Sequence, residues 1–184
     1  MPKYAVLVID MLKDFIYGSL RCERALHIIP NIKKLVSIAR DYGVPIIYVN
    51  DSHIKGVDRE LTLWGPHAVR GTEGSEVIDD LRPTEKDFIV LKRRYSGFFE
   101  TDLDLLLREL GVDTLILTGI HTHICVMHTA VDAFYRGYNL IVVKDAVEAF
   151  SEDYHKLGLE LMEKFYMAKL VSTEEIIKLI TITT

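Results

Sequence analysis

Six short runs of the chain are apolar on both faces: YAVLVI (4–9), VPIIYV (44–49), DFIVLK (87–92), DTLILTG (113–119), NLIVVKD (139–145) and AKLVS (168–172). Runs of this length, rich in Val and Ile and lacking polar alternation, predict strands buried on both sides, the situation of a parallel sheet. Between them apolar positions recur at helical spacing, in IPNIKKLVSIARDYG, TDLDLLLRELG, HTAVDAFYRGY and DYHKLGLELMEKF, with TEEIIKLI near the end. Three of these segments run out at a glycine just before the next strand, Gly43, Gly111 and Gly137, which predicts left-handed helix stops. Strand and helix alternating in this way predict an α/β fold: one doubly wound parallel sheet with helices on both faces, in a single domain spanning residues 1–184. The stretch 51–73, DSHIKGVDRELTLWGPHAVRGTE, breaks the pattern. An aperiodic loop this long points to function.

Composition narrows the partners. At 49% hydrophobic residues the chain can bury a sizeable core. The net charge is −5, with Lys and Arg scattered among Asp and Glu, which argues against a nucleic-acid or anionic membrane surface. No apolar run approaches a membrane span, and the first residues lack a small-residue cleavage site, so a cytoplasmic protein acting on small molecules is expected. The two cysteines, Cys22 and Cys125, form no CxxC pair, which fits a reducing compartment.

The candidate chemistry centres on GIHTHICVMHTA (119–130). His121, His123, Cys125 and His128 read either as a metal cage or as the surroundings of a cysteine nucleophile. In doubly wound sheets ligands bind beyond the carboxyl ends of the strands. Four successive strands end there in reactive residues: Asp10, then Asp51 and His53, then Lys92, then the His/Cys cluster. Cys125 is expected in the first turn of a helix, where the dipole and Lys92 favour thiolate and Asp10 can take the thiol proton. Asp10, Lys92 and Cys125 then form a nucleophilic triad, with backbone N–H groups of the same helix entrance facing an oxyanion. The cage is the weaker reading, because His123 faces away from the other three on a helix and a bound metal would blunt the thiolate.

IDMLKDF with Asp10, LKRRYSGF with Lys92 and GIHTHICV with Cys125, in that order, resemble the isochorismatase-like cysteine hydrolases. DSH and WGPHAVRGTEGSE resemble their nicotinamidase branch, and the likeness covers nearly the whole chain. The resemblance implies a six-stranded parallel sheet, the Asp10, Lys92, Cys125 triad, a cis peptide between Ile120 and His121, and an oxyanion hole from the amides of His121 and Cys125. It implies a divalent metal, commonly zinc, on Asp51, His53 and His67, which leaves His121, His123 and His128 to capping or packing. It also implies a flat amide held by Phe15, Trp64 and Tyr95, and self-association into a homo-oligomer. The chain departs from the branch at Ser52 and Ile54, where DWHP is usual, and at Ala68, where many members have Cys. Nicotinamide hydrolysis is the expected activity. Hydrolysis of a carbamoyl or ureido compound without metal, and a non-catalytic ligand-binding role, are the alternatives. Isochorismate cleavage is disfavoured, since breaking that vinyl ether does not require the cysteine.

Overall fold

The computed structural model describes residues 3–183. Its strands are β1 (Tyr4–Ile9), β2 (Ile46–Asp51), β3 (Phe88–Lys92), β4 (Thr114–Ile120), β5 (Asn139–Glu148) and β6 (Lys169–Val171). All pair in parallel, in the order β3-β2-β1-β4-β5-β6. The helices are α1 (Lys13–Ile16), α2 (Ile29–Asp41), α3 (Glu60–Trp64), α4 (Leu103–Glu109), α5 (Met127–Tyr135), α6 (Glu152–Tyr166) and α7 (Thr173–Thr183).

β1, β2 and β4 are buried along their whole length, as strands covered on both faces must be. On one face Val6, Val8 and Tyr48 pack with Ile32 and Leu35 of α2 and Ile176 of α7. On the other, Leu7, Val49 and Leu117 pack with Leu107 of α4, Ala130 of α5 and Met162 of α6. The expected helix stops Gly43, Gly111 and Gly137 have φ of 69°, 67° and 82°. No helix among the described residues is long and apolar enough to cross a membrane.

Strand order reverses between β1 and β4, so the chain leaves these two neighbours in opposite directions and opens a crevice at their carboxyl ends. β5 runs further than its apolar run predicts. Its pairing with β4 breaks after Val142 and resumes at Val147 and Glu148, opposite Gly119 and Ile120, which carries the chain up to Phe150 beside the crevice.

Gly119 sits at the junction. It pairs with Ile9, has φ of 101°, and a Cβ there would strike the Ile9 carbonyl. Gly119→Ala is therefore expected to cost at least about 1–3 kcal/mol, a fall in Tm of roughly 2–12 °C, and to lower activity by displacing the β1 end that carries Asp10. Thermal unfolding with an unchanged Tm would show that the junction relaxes freely.

Candidate active site

Asp10 directly follows β1 and takes φ of 54°, a left-handed value uncommon outside glycine. Its Oδ1 accepts a hydrogen bond from the Asp51 amide at 2.7 Å, and its Oδ2 lies 2.8 Å from Lys92 Nζ. β2 and β3 pair Asp51 with Lys92 in register, so the two side chains leave the sheet together. Lys92 is completely buried, with Nζ 2.5 Å from Asp51 Oδ1 and 3.6 Å from Cys125 Sγ. The three triad candidates thus meet around one ammonium, together with Asp51.

Charge in this cluster is tightly balanced. Burial opposes ionisation of Lys92, but the carboxylates of Asp10 and Asp51, with Cys125, hold its pKa well above the ordinary value. Asp10 is pushed up to about 6 by burial and by the Asp51 carboxylate, against the pull of Lys92. Burial also works against Asp51, yet Lys92 and His53 keep it below the usual carboxylate range.

The cysteine differs from expectation in two respects. It lies in a π-helical turn, Thr122–Val126, ahead of α5, closed by the Val126 amide on the His121 carbonyl at 3.2 Å. No side chain caps that turn, and α6 presses its Gly158 against the backbone of His123, where a Cβ would not fit. Wide turns of this kind recur at functional sites. Second, the thiol is not acidic: burial, joined by Asp10 and Asp51, outweighs Lys92 and raises its pKa well above the ordinary value. The expectation of a resting thiolate fails because dipole and ammonium are legible in the sequence whereas complete burial is not. The Ile120–His121 peptide bond is cis.

A second cluster adjoins the first. Asp51, His53, Glu60 and His67 each place a ligand atom within 4.8 Å of the others, all four buried. His53 and the His67 segment are brought together by a backbone bridge, with the His53 amide on the Ala68 carbonyl and the Arg70 amide on the His53 carbonyl, at 2.9 and 2.8 Å. The His53 ring is oriented by Asp58 Oδ2, 3.2 Å from Nδ1, while its buried Nε2 has no hydrogen-bond partner. His67 Nδ1 donates to the Gly65 carbonyl at 2.8 Å, which leaves Nε2 as a lone-pair donor. Glu60 is raised to about 7 by burial and the Asp51 charge, a repulsion that a cation would relieve. Two carboxylates and two imidazoles, the His53 ring held from behind by a carboxylate, fit a divalent metal of the zinc type. Glu60 and Asp58 are missed by the sequence reading, since the aperiodic 51–73 stretch gives no sign that α3 folds back.

The proposed cage is not assembled. His123 stacks on Tyr154 at 4.6 Å, and His128, on the exposed side of α5, donates to the Ile124 carbonyl at 2.8 Å. His121 neither caps the turn nor joins the metal-type quartet. It lines the cleft with Cys125, Phe15, Trp64, Tyr95 and Phe150. The expected walls Phe15, Trp64 and Tyr95 are all there, while Phe150, lying outside every quoted motif, is an addition. Trp64 stacks on Phe150 and donates its indole N–H to Tyr95 Oη at 3.0 Å. The space between them is about 20 Å³, room for one water. A larger cavity of about 670 Å³ lies at the opposite end of the sheet, among Tyr4, Phe134, Tyr138 and Tyr166, and no metal-type cluster of the described residues adjoins it.

The family description "Isochorismatase domain" matches residues 4–175. The chain is similar to N-carbamoylsarcosine amidase from Thermoplasma acidophilum, 40% identical with a TM-score of 0.87, over 94% of this chain and 97% of that one. It is similar to nicotinamidase PncA from Bacillus subtilis, 34% identical with a TM-score of 0.88, over 92% and 99%. Pyrazinamidase of Pyrococcus horikoshii, solved in complex with zinc, is 29% identical with a TM-score of 0.86, over 93% and 99%.

Proposed function

The chain belongs to the isochorismatase family of hydrolases, and from that premise we propose that it is a metal-assisted cysteine amidohydrolase acting on a small planar amide, with nicotinamide the foremost candidate. The observation that carries this reading is the adjacency of two clusters sharing Asp51: Lys92 with Asp10 and Cys125 on one side, the Asp51, His53, Glu60, His67 quartet on the other. Aromatic rings at Phe15, Trp64, Tyr95 and Phe150 suit a flat substrate between them.

In this reading Asp10 takes the Cys125 proton as Sγ attacks the carboxamide carbon. The oxyanion is held by the amides of His121 and Cys125, and Lys92 balances the charge arriving on sulfur. The C–N bond then breaks, ammonia leaves with the proton from Asp10, and a thioester remains. Water hydrolyses it, Asp10 taking a proton from the water and returning it to the departing thiolate, which leaves a carboxylic acid that gives its remaining proton to solvent and departs as carboxylate. A metal bound by the quartet would polarise and orient the substrate through a heteroatom.

Likeness to N-carbamoylsarcosine amidase favours a second reading, hydrolysis of a ureido compound. Ammonia release from nicotinamide, pyrazinamide and N-carbamoyl amino acids, measured on metal-analysed protein, separates the two. The expected result is turnover of nicotinamide, with His53→Ala and Glu60→Gln each lowering bound metal and raising KM about tenfold or more. Turnover confined to ureido compounds, or full activity in metal-free protein, would overturn the first reading.

A further inference from the structure

His121 carries a polar side chain that the described protein leaves unsatisfied. It is 4% exposed, and both ring nitrogens are buried without a hydrogen-bond partner. The ring is held in place, stacked on Phe150 at 3.8 Å and edge-on to Phe15 at 6.2 Å. Buried polar groups are nearly always paired, so an imidazole fixed in this state calls for a partner.

The cleft shows where that partner lies. Of the polar residues lining it, Asp51, Glu60 and His67 belong to the metal-type quartet, Cys125 to the nucleophile cluster, and Tyr95 holds Trp64. His121 is the one left over. Phe15 neighbours both groups, its ring 5.6 Å from His67 and 6.2 Å from His121. A flat molecule against Phe15 is therefore within reach of the quartet through His67 and, separately, of the unpaired His121.

We propose that His121 is the specificity-determining residue of this cleft, its imidazole hydrogen-bonding a substrate polar atom separate from any that meets the quartet. This rests on reading the cleft as an amide-hydrolase site, and it deepens that reading: the substrate class is a small planar amide with a polar atom for each. Burial and the neighbouring His123 push the His121 pKa down to about 3, so the ring is neutral and offers one donor and one acceptor. A site built around a buried hydrogen bond rejects a ligand that leaves its polar group unpaired, here by about 10- to 100-fold.

The test uses matched ligands: benzamide, nicotinamide and pyrazinamide, differing one ring nitrogen at a time, and N-carbamoylglycine against propylurea, differing by one carboxylate. Dissociation constants are measured by calorimetry on Cys125→Ala protein supplied with zinc, alone and combined with His121→Phe, which keeps the stacking, or with His67→Ala, whose bound zinc is measured alongside and is expected to fall. The expected result is at least one pair discriminated tenfold or more, with the preference erased by His121→Phe and kept by His67→Ala. In the Cys125 protein the same change should raise KM for the preferred ligand by a larger factor than it lowers kcat. The proposal is overturned if His121→Phe erases no preference, if both members of every pair weaken in parallel, or if no pair is discriminated. Ligands that show the preference yet are not hydrolysed by the Cys125 protein would overturn the amidohydrolase reading and leave the role of His121 standing.

Discussion

Cys125→Ala is expected to remove amide hydrolysis, a loss of at least about 10⁴-fold in kcat, while the protein stays folded. Only one sulfur atom leaves a buried position packed beside Val126 and Ala130, so the packing penalty is small. Asp10→Asn should come close to the same result, a loss on the order of 10²- to 10⁴-fold. The reason is electrostatic: with the Cys125 thiol held well above its ordinary pKa, almost no thiolate exists at neutral pH without a base to take the proton. The pH profile carries the sign. Asp10, raised to about 6, accepts a proton only when ionised, so kcat/KM should fall about tenfold per unit below pH 6 and level off above it. Asp10→Asn should lack that acid limb. An acid limb near 6 that persists in the Asn variant would transfer the base role to another group.

Lys92→Met is expected to damage both stability and activity. The ammonium is buried between Asp10 and Asp51, 2.8 and 2.5 Å from their oxygens, and methionine leaves two carboxylates facing each other without the charge that separates them. Breaking a buried ionic cluster from one side costs about 3–5 kcal/mol, or a fall in Tm of roughly 6–20 °C for a chain of this size. Without the ammonium, the folded-state pKa of Asp10 rises further above the unfolded value of about 3.9, and Asp51 loses the main charge that holds its own pKa down. The penalty is then complete at neutral pH and shrinks as the pH falls toward 4 and one carboxyl takes a proton. Activity should be lost at every pH, and alkylation of Cys125 should need more alkaline conditions than in the unaltered protein. Thermal melts from pH 4 to 8 decide the matter. A Tm deficit that stays constant across that range would mean that the ammonium contributes packing rather than charge balance.

The fold is largely legible in the sequence because it rests on short-range patterns. Apolar runs such as YAVLVI and DTLILTG describe buried strands by themselves, and Gly43, Gly111 and Gly137 mark the helix ends with φ values that the structure reproduces. Asp10, Lys92 and Cys125 are legible as a set for a related reason: each stands at or just after the end of a strand, and parallel strands deliver their carboxyl ends to one edge. Phe15, Trp64 and Tyr95 are found beside them. Asp51 and His53 are legible as polar residues at the end of the second strand, but their grouping with His67 as a ligand set is legible only through the family resemblance, since the loop that carries His67 has no period to read.

Tertiary structure alone decides the rest. Glu60 and Asp58 reach the metal-type site through the fold-back of α3, and Phe150 reaches the cleft because β5 slips its register and runs on. No local pattern encodes either event. His121 is legible as a histidine near a nucleophile, but its isolation between Phe15 and Phe150, with both nitrogens unpaired, depends on segments more than 25 residues apart in the chain. The thiol shows the difference most directly. Its sequence neighbours argue for a thiolate, and the folded protein raises its pKa instead, because desolvation and the charges of Asp10 and Asp51 act through space and outweigh what the local helix entrance and Lys92 supply.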